Sequence, residues 1–181
     1  MAPLPFLVLR GSNLLTEDDA GQALNTHLSL GKTKLPVQRE KYDEFSPAAS
    51  NGSIEVATTR EPCASGFNLK GMQPDVLSLF RTPFGSRRKF TILGALVNEY
   101  ATSQADREIQ VVATMYGRLN FEVDDHEGGS LLGTEYEIKS ISSYLLTIGT
   151  KEIARFNIEL GGWVDSDGQS TRLANMLGLT V

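Results

Sequence analysis

The chain has 181 residues, 40% hydrophobic and 22% charged, with a formal net charge of -5 at pH 7. That is one domain's worth of sequence, and a chain of this size buries about 70% of its unfolded surface, so a core forms without staples. The single cysteine, Cys63, excludes an internal disulfide and any cysteine-cluster zinc site, and the acidic balance argues against a protein that grips phosphates over a broad face.

The N-terminal stretch Pro3–Leu9 is short and apolar. It lacks a basic leader region and a small-residue cleavage site, so it does not read as a signal peptide, and a reducing compartment is expected. No stretch approaches the roughly 20 apolar residues of a membrane span. Lys32 to Arg39 and Ser53 to Arg60 read as strands flanking a polar insertion, Glu40 to Gly52, which holds Lys41, Tyr42, Asp43, Glu44, Phe45 and Pro47. Ala64 to Lys70 and Lys89 to Glu99 are further strands. Between them, Gln73 to Arg81 reads as a short helix. Pro74 suits the first turn, where its missing donor costs nothing, and Asp75 complements the positive helix end. Val76, Leu79 and Phe80 share its apolar face.

Arg107 to Val123 alternates with period two. Ile109, Val111, Ala113, Met115, Leu119, Phe121 and Val123 fall on one parity and mostly polar residues on the other, the pattern of a half-buried strand. Gly117 is the expected bend or bulge. Thr134 to Ile148 alternates in the same way, and Asp124 to Gly129 reads as the connection. Lys151 to Val164 is expected as a strand whose phase changes between Ile153 and Phe156, the mark of a bulge. A last helix is expected from about Ser170 to Leu177, stopped by Gly178. The order predicts a mainly β protein: an antiparallel sandwich or rolled sheet with one short flanking helix and a C-terminal helix.

Motifs that carry chemistry mostly fail. Gly31-Lys32-Thr33 resembles the tail of a phosphate loop, but Thr26 stands where that loop needs its first glycine. Asp165-Ser166-Asp167-Gly168 hints at a calcium loop, but Met176 replaces the bidentate Glu. Asn51-Gly52-Ser53 fits a glycosylation pattern and reads as a turn. Asp124, Asp125, His126 and Glu127 are the one dense cluster that could hold a divalent ion or supply acid and base; the plainer reading is a solvated hairpin tip. Cys63 reads as a small buried apolar residue. No serine-hydrolase elbow or zinc-protease motif occurs. The expectation is a non-enzyme with no cofactor and no metal. A β-sandwich binding module would expose aromatics in a groove; the sole tryptophan, Trp163, beside Gly161-Gly162, reads instead as core or interface.

Four segments carry a family resemblance: Leu35-Pro36 with the insertion around Tyr42; Phe67-Asn68-Leu69-Lys70-Gly71-Met72-Gln73-Pro74-Asp75 leading into the helix; Tyr116-Gly117-Arg118-Leu119; and Ser143 to Ile148 followed by Lys151-Glu152-Ile153, Asp167-Gly168, Arg172-Leu173 and Leu177-Gly178-Leu179. With these the chain resembles the major tail tube proteins of contractile-tailed (myovirus-type) bacteriophages, a family that includes the tubes of phage-like bacteriocins. Met72 stands where the family has an aromatic, and Thr171 where an Asp usually precedes the Arg.

The resemblance implies a structural virion protein. Copies would form hexameric rings that stack into the inner tube of a contractile tail, a continuous β-barrel through which the genome is ejected. Implied partners are the chain itself, the sheath protein, the tape measure protein, and the terminator and baseplate at the tube ends. DNA would pass without specific binding. The implied location is the virion tail, with the host cytoplasm during assembly. A bacteriocin or secretion injection machine is the alternative setting. One tail-tube domain is expected over residues 1–181: an N-terminal arm and first strand in 1–30, a ring-stacking loop in 40–52 anchored by Tyr42 and Phe45, and a C-terminal helix and tail in 165–181. By parity, Glu55, Glu135 and Glu137 are candidates to line the lumen, where carboxylates would repel phosphate.

Overall fold

The computed structural model of the chain describes residues 4–17, 21–48, 51–81, 83–103, 107–123, 133–164 and 175–178. Strands account for 62% of the described residues, all their pairings are antiparallel, and the described residues do not close into a barrel. In chain order the strands are β1 (Leu7–Glu17), β2 (Ala23–Asn25), β3 (Leu30–Lys34), β4 (Glu40–Phe45), β5 (Ile54–Arg60), β6 (Ser65–Lys70), β7 (Arg88–Asn98), β8 (Glu108–Val123), β9 (Gly133–Ile148), β10 (Lys151–Asn157) and β11 (Gly162–Val164). The helix α1 (Pro74–Ser78) lies between β6 and β7 and runs on into a 3₁₀ turn, Leu79–Arg81.

The scaffold is the long β8–β9 pair, bent near its middle. From Arg118↔Lys139 to Tyr116↔Ser143, β8 moves two residues while β9 moves four. An insertion of two rather than one returns β9 to the same parity, so its apolar face does not flip. Ser140 takes a left-handed conformation (φ 52°) within that insertion. Gly117 stands opposite it, as the sequence predicts. A Cβ there would lie 2.5 Å from Ile138 Cγ2 and 3.1 Å from the Lys139 carbonyl oxygen. No side chain fits where the strands cross so closely.

Beyond the bend the two halves of β8–β9 take different neighbours. One half pairs with β6, which pairs with β3; the other pairs with β7 and β10, and those lead to β1, β2 and β11. The sheet thereby rolls around one core. Its fully buried side chains include Phe67, Leu69, Phe90, Met115, Ile138 and Tyr144. Phe67 stacks on Tyr136 with ring centroids 4.8 Å apart. Burying a side chain of that size contributes about 1.5–3 kcal/mol. Val76 and Leu79 cap the core from α1 and its 3₁₀ turn, while Phe80 stays exposed and meets Phe121 edge-on at 5.3 Å. Trp163 is buried against Tyr144 and Phe156. Cys63 is buried too, and burial pushes its thiol up from 9.0 to about 11.

The structure corrects three expectations. The insertion 40–52 is not simply a loop: Glu40–Phe45 is a strand, paired with Ile54–Arg60. The single strand expected from Lys151 to Val164 is broken. β10 does carry its bulge, at Ile153, but it ends at Asn157, whose side chain accepts from the Glu159 amide and starts a 3₁₀ turn that folds β11 back as a hairpin. Phe80 does not share the buried helical face of Val76 and Leu79. The cluster Asp124 to Glu127, the turn Asp165 to Gly168 and most of the expected C-terminal helix lie outside the described residues.

Candidate assembly surfaces

A strand satisfies its backbone only where it has neighbours on both sides. β1 pairs with β7 from Leu7 to Thr16, but β2 covers its other side only from Leu15 to Glu17. Thr26 adds a donor to the Leu14 carbonyl at 3.1 Å. Among the described residues, Leu7 to Asn13 is therefore an open edge. Its polarity can be read. The Glu99 amide donates to the Phe6 carbonyl at 3.2 Å, so Phe6 faces β7 and the next residue, Leu7, directs its amide outward. At the other side of the same sheet, β10 pairs with β9 along its length, but β11 covers only Arg155 to Asn157. Lys151 to Ala154 is a second open edge.

The two edges match in direction. Four successive antiparallel pairings, β1–β7, β7–β8, β8–β9 and β9–β10, separate them, so β1 and β10 run the same way. Natural edges are usually blunted by charge, proline or cover. Here Leu7 and Leu9 stand exposed on one edge and Ile153 on the other. Arg10 pairs with Glu99, and Arg155 holds Glu152 at 2.6 Å. The Asn13 side-chain oxygen is buried without a hydrogen-bond partner among the described residues. The sheet between these edges leaves the core behind: Leu96, Ile109 and Ile148 are only half-buried.

The second surface is the β4–β5 hairpin. Every residue of both strands is exposed. Directly paired residues share a face. Phe45↔Ile54 and Asp43↔Val56 thus make a largely apolar face; Tyr42↔Ala57 and Glu44↔Glu55 make the other. The Tyr42 hydroxyl donates to Glu40 at 2.8 Å, which places Glu40 on that acidic side and raises the tyrosine's pKa. Lys41 also stands on β4, and Pro47 follows in the connecting turn, half-buried.

The third surface is the outer face of β9. Glu135 and Glu137 stand opposite the buried Tyr136 and Ile138, joined by Glu122 of β8. Lysines offset them: Lys32 reaches Glu135 at 2.9 Å and Lys139 reaches Glu137 at 2.8 Å. Asn68 donates to Glu135 at 3.0 Å. The predicted lumen set is therefore split: Glu135 and Glu137 are together, and Glu55 is on the hairpin. A groove of about 430 Å³ runs along this face, lined by Lys34, Asn120, Glu122, Glu135 and Glu137, with Tyr136 and Phe121 turned toward the core. That is not the exposed aromatic platform of a carbohydrate-binding module. No group of three metal-ligating side chains occurs among the described residues.

Two surfaces escaped the sequence reading, one of them a further one. The β1 edge had no signal, because its segment, LVLRGSNLLTE, does not alternate cleanly. The other is a basic turn between α1 and β7. It was legible: the chain carries no carboxylate between Asp75 and Glu99, and Arg81, Arg87, Arg88 and Lys89 fall in that interval.

A rolled antiparallel sheet with two open edges of common direction is a form suited to receiving further strands. The family comparison agrees: the phage tail tube protein FII family matches residues 24–159, and the chain belongs to that family. It is a family of structural tail proteins rather than enzymes, and its place is the tail of the virion. No curated protein matches the chain. Among solved structures, the chain is similar to one in the cryo-EM structure of the anti-feeding prophage (AFP) baseplate, 6-fold symmetrised, with 14% identity, a TM-score of 0.47, and coverage of 83% of this chain and 97% of that one.

Proposed function

We propose that this tail protein is the tube subunit itself: copies close into hexameric rings, the rings stack inside a contractile sheath, and the genome leaves through the lumen. The observation that carries this reading is the pair of open edges. A contact between the β1 edge of one copy and the β10 edge of the next is head-to-tail, and repeated rotation closes it into a ring with no edge left over. Because β1 and β10 run the same way within a subunit, the junction is parallel. The half-buried apolar residues around Leu96 and Ile109 are covered in the same step. The sheath protein meets the outside of the tube, the tape measure protein fills it during assembly, and terminator and baseplate proteins close its ends. Residues 1–181 act as one tail-tube domain, and the 40–52 segment contacts the adjacent ring. Acidic side chains on the inner wall let DNA slide rather than stick.

Electron microscopy of the purified chain tests this reading. Rings with a central hole, or hollow fibres, are expected for the native chain. Leu7→Pro removes one outward-facing donor and leaves the pairing with β7 intact. It is expected to abolish rings and fibres while the melting temperature of the monomer stays within a few degrees. Native chain that remains dispersed at high concentration would contradict the proposal.

A further inference from the structure

The hairpin and the basic turn differ in charge but share one property, exposure to solvent. The hairpin face that carries Tyr42 also carries Glu40, Glu44 and Glu55, with Arg60 opposite Glu40 at its base, while Lys41 and Asp43 stand on the other face. Glu44 and Glu55 are direct cross-strand partners, and like charges in that position destabilise a strand pair. An isolated two-stranded hairpin is already marginal in water. A cationic partner seated on this face would remove the repulsion and stiffen the hairpin.

The α1–β7 turn has the matching chemistry. Its backbone is held by the Ser86 amide and hydroxyl, which donate to the Pro83 carbonyl at 3.1 and 2.8 Å, with Gly85 in the left-handed region at φ 88°. Arg87 is braced across the bend of the scaffold, donating to the Ser140 carbonyl at 2.8 Å and to its hydroxyl at 3.2 Å. Phe84 projects with its side chain fully in solvent, and the Arg118 guanidinium lies 5.3 Å from its ring centre. Arg81, three residues earlier in the chain, is exposed too. A cationic turn that presents a solvent-exposed aromatic ring with an arginine over it has the chemistry of an interface anchor. No ion pair among the described residues joins Glu44 or Glu55 to Arg81 or Arg87.

We propose that the two surfaces are halves of one contact between copies: the acidic face of the β4–β5 hairpin of one subunit seats on the basic α1–β7 turn of a second. Each subunit carries both halves, so the contact is head-to-tail and propagates along an axis rather than closing on a two-fold. This rests on the tube reading and adds to it the acceptor surface for the hairpin.

Charge reversal tests the pairing. E44K/E55K and R81E/R87E are each expected to lower the sedimentable, assembled fraction by about tenfold, since like charges then meet across the contact. Mixing the two variants restores assembly, because each reversed hairpin then finds a reversed turn and each native hairpin a native turn. The chain carrying all four changes also assembles alone. Assembly of either single-surface variant at the native level, or failure of both the mixture and the quadruple variant, overturns the pairing. Binding of the native turn to duplex DNA, lost in R81E/R87E with assembly unaffected, would assign the turn to nucleic acid instead. Should a reversed variant lose its fold by circular dichroism, E55C with R87C on the otherwise native chain decides: an oxidised ladder of covalent oligomers supports the contact, and monomer alone refutes it. If native chain does not assemble at all, the tube reading fails; if it assembles and the reversals are silent, only the pairing fails.

Discussion

The two ends of the β8–β9 pair use the same kind of strand for opposite ends. Below the bend, β8 and β9 are sealed: β6 covers one side, α1 caps the roll, and Phe67, Tyr136, Ile138 and Leu119 have almost no contact with water. Above it, the continuation of the same strands flares out between β1 and β10, with Leu9, Leu96, Ile109 and Ile153 partly or largely exposed. Alternating apolar sequence therefore does not by itself make a core. It makes a surface that needs cover: below the bend and just above it, where Met115 and Tyr144 are buried, the chain supplies the cover, and at the far end, around Leu96 and Ile109, it does not. The β4–β5 hairpin is the extreme case, with apolar side chains and none of them buried. Stability of the monomer should reside in the sealed half and assembly in the flared half and the hairpin.

The largest effect should follow from emptying the sealed half. Phe67→Ala removes the ring stacked on Tyr136 and is expected to destabilise the monomer by about 3–5 kcal/mol in denaturant titration. Gly117→Ala comes next, because the added methyl group meets Ile138 and the Lys139 backbone, and overpacking of this kind costs about 1–3 kcal/mol. The same bend offers a change of opposite sign: Ser140→Gly relieves the left-handed residue in the insertion and is expected to stabilise, less the loss of one hydroxyl contact to Arg87, with a net gain under about 1 kcal/mol. Phe45→Ser on the hairpin should leave monomer stability within about 0.5 kcal/mol and still reduce the assembled fraction, the pattern opposite to Phe67→Ala. If Phe45→Ser instead lowered the melting temperature as Phe67→Ala does, the division between the two regions would be wrong.

Alkaline pH probes the buried core without mutation. Burial raises the Cys63 thiol to about 11 and raises the Tyr144 phenol as well. The folded state thus holds these protons more tightly than the unfolded one. The thiol's contribution is complete below its unfolded value of 9.0 and is lost as pH rises from there toward about 11, and the phenol adds a loss that begins at higher pH. Thermal melts should fall over that window, and Cys63→Ala should blunt the thiol's share. Disulfide reagents at neutral pH should modify Cys63 only on unfolding.

Much of this architecture was legible. Period-two alternation placed β8 and β9 within a residue, and Gly117 marked the bend, because those strands have one buried face and alternation is its direct imprint. The proline–acid start of α1 was equally plain. What failed has a physical cause in each case. β4 looked like a polar loop because both its faces meet solvent in the monomer, so no alternation was required of it. Residues 151–164 looked like one strand because the Asn157 cap and the Gly161 left-handed turn are local features that leave hydrophobic content unchanged. β1 was invisible because its outer half lies on the flared sheet, where neither parity is consistently buried. Of the surfaces described, the exposed aromatics Tyr42 and Phe45 stood out by composition, whereas the edges that carry the tube reading belong to topology and have no residue signature.

The most direct test is backbone amide exchange on monomer and assembled chain, read segment by segment. The account predicts that Leu7 and the other outward-facing amides of the β1 edge, together with the Lys151–Ala154 edge, exchange freely in the monomer and become strongly protected in the assembled form, while β6 and the lower half of β9 stay protected in both. Assembled chain in which those two edges still exchange at monomer rates would contradict the claim that copies of this protein complete each other's sheets.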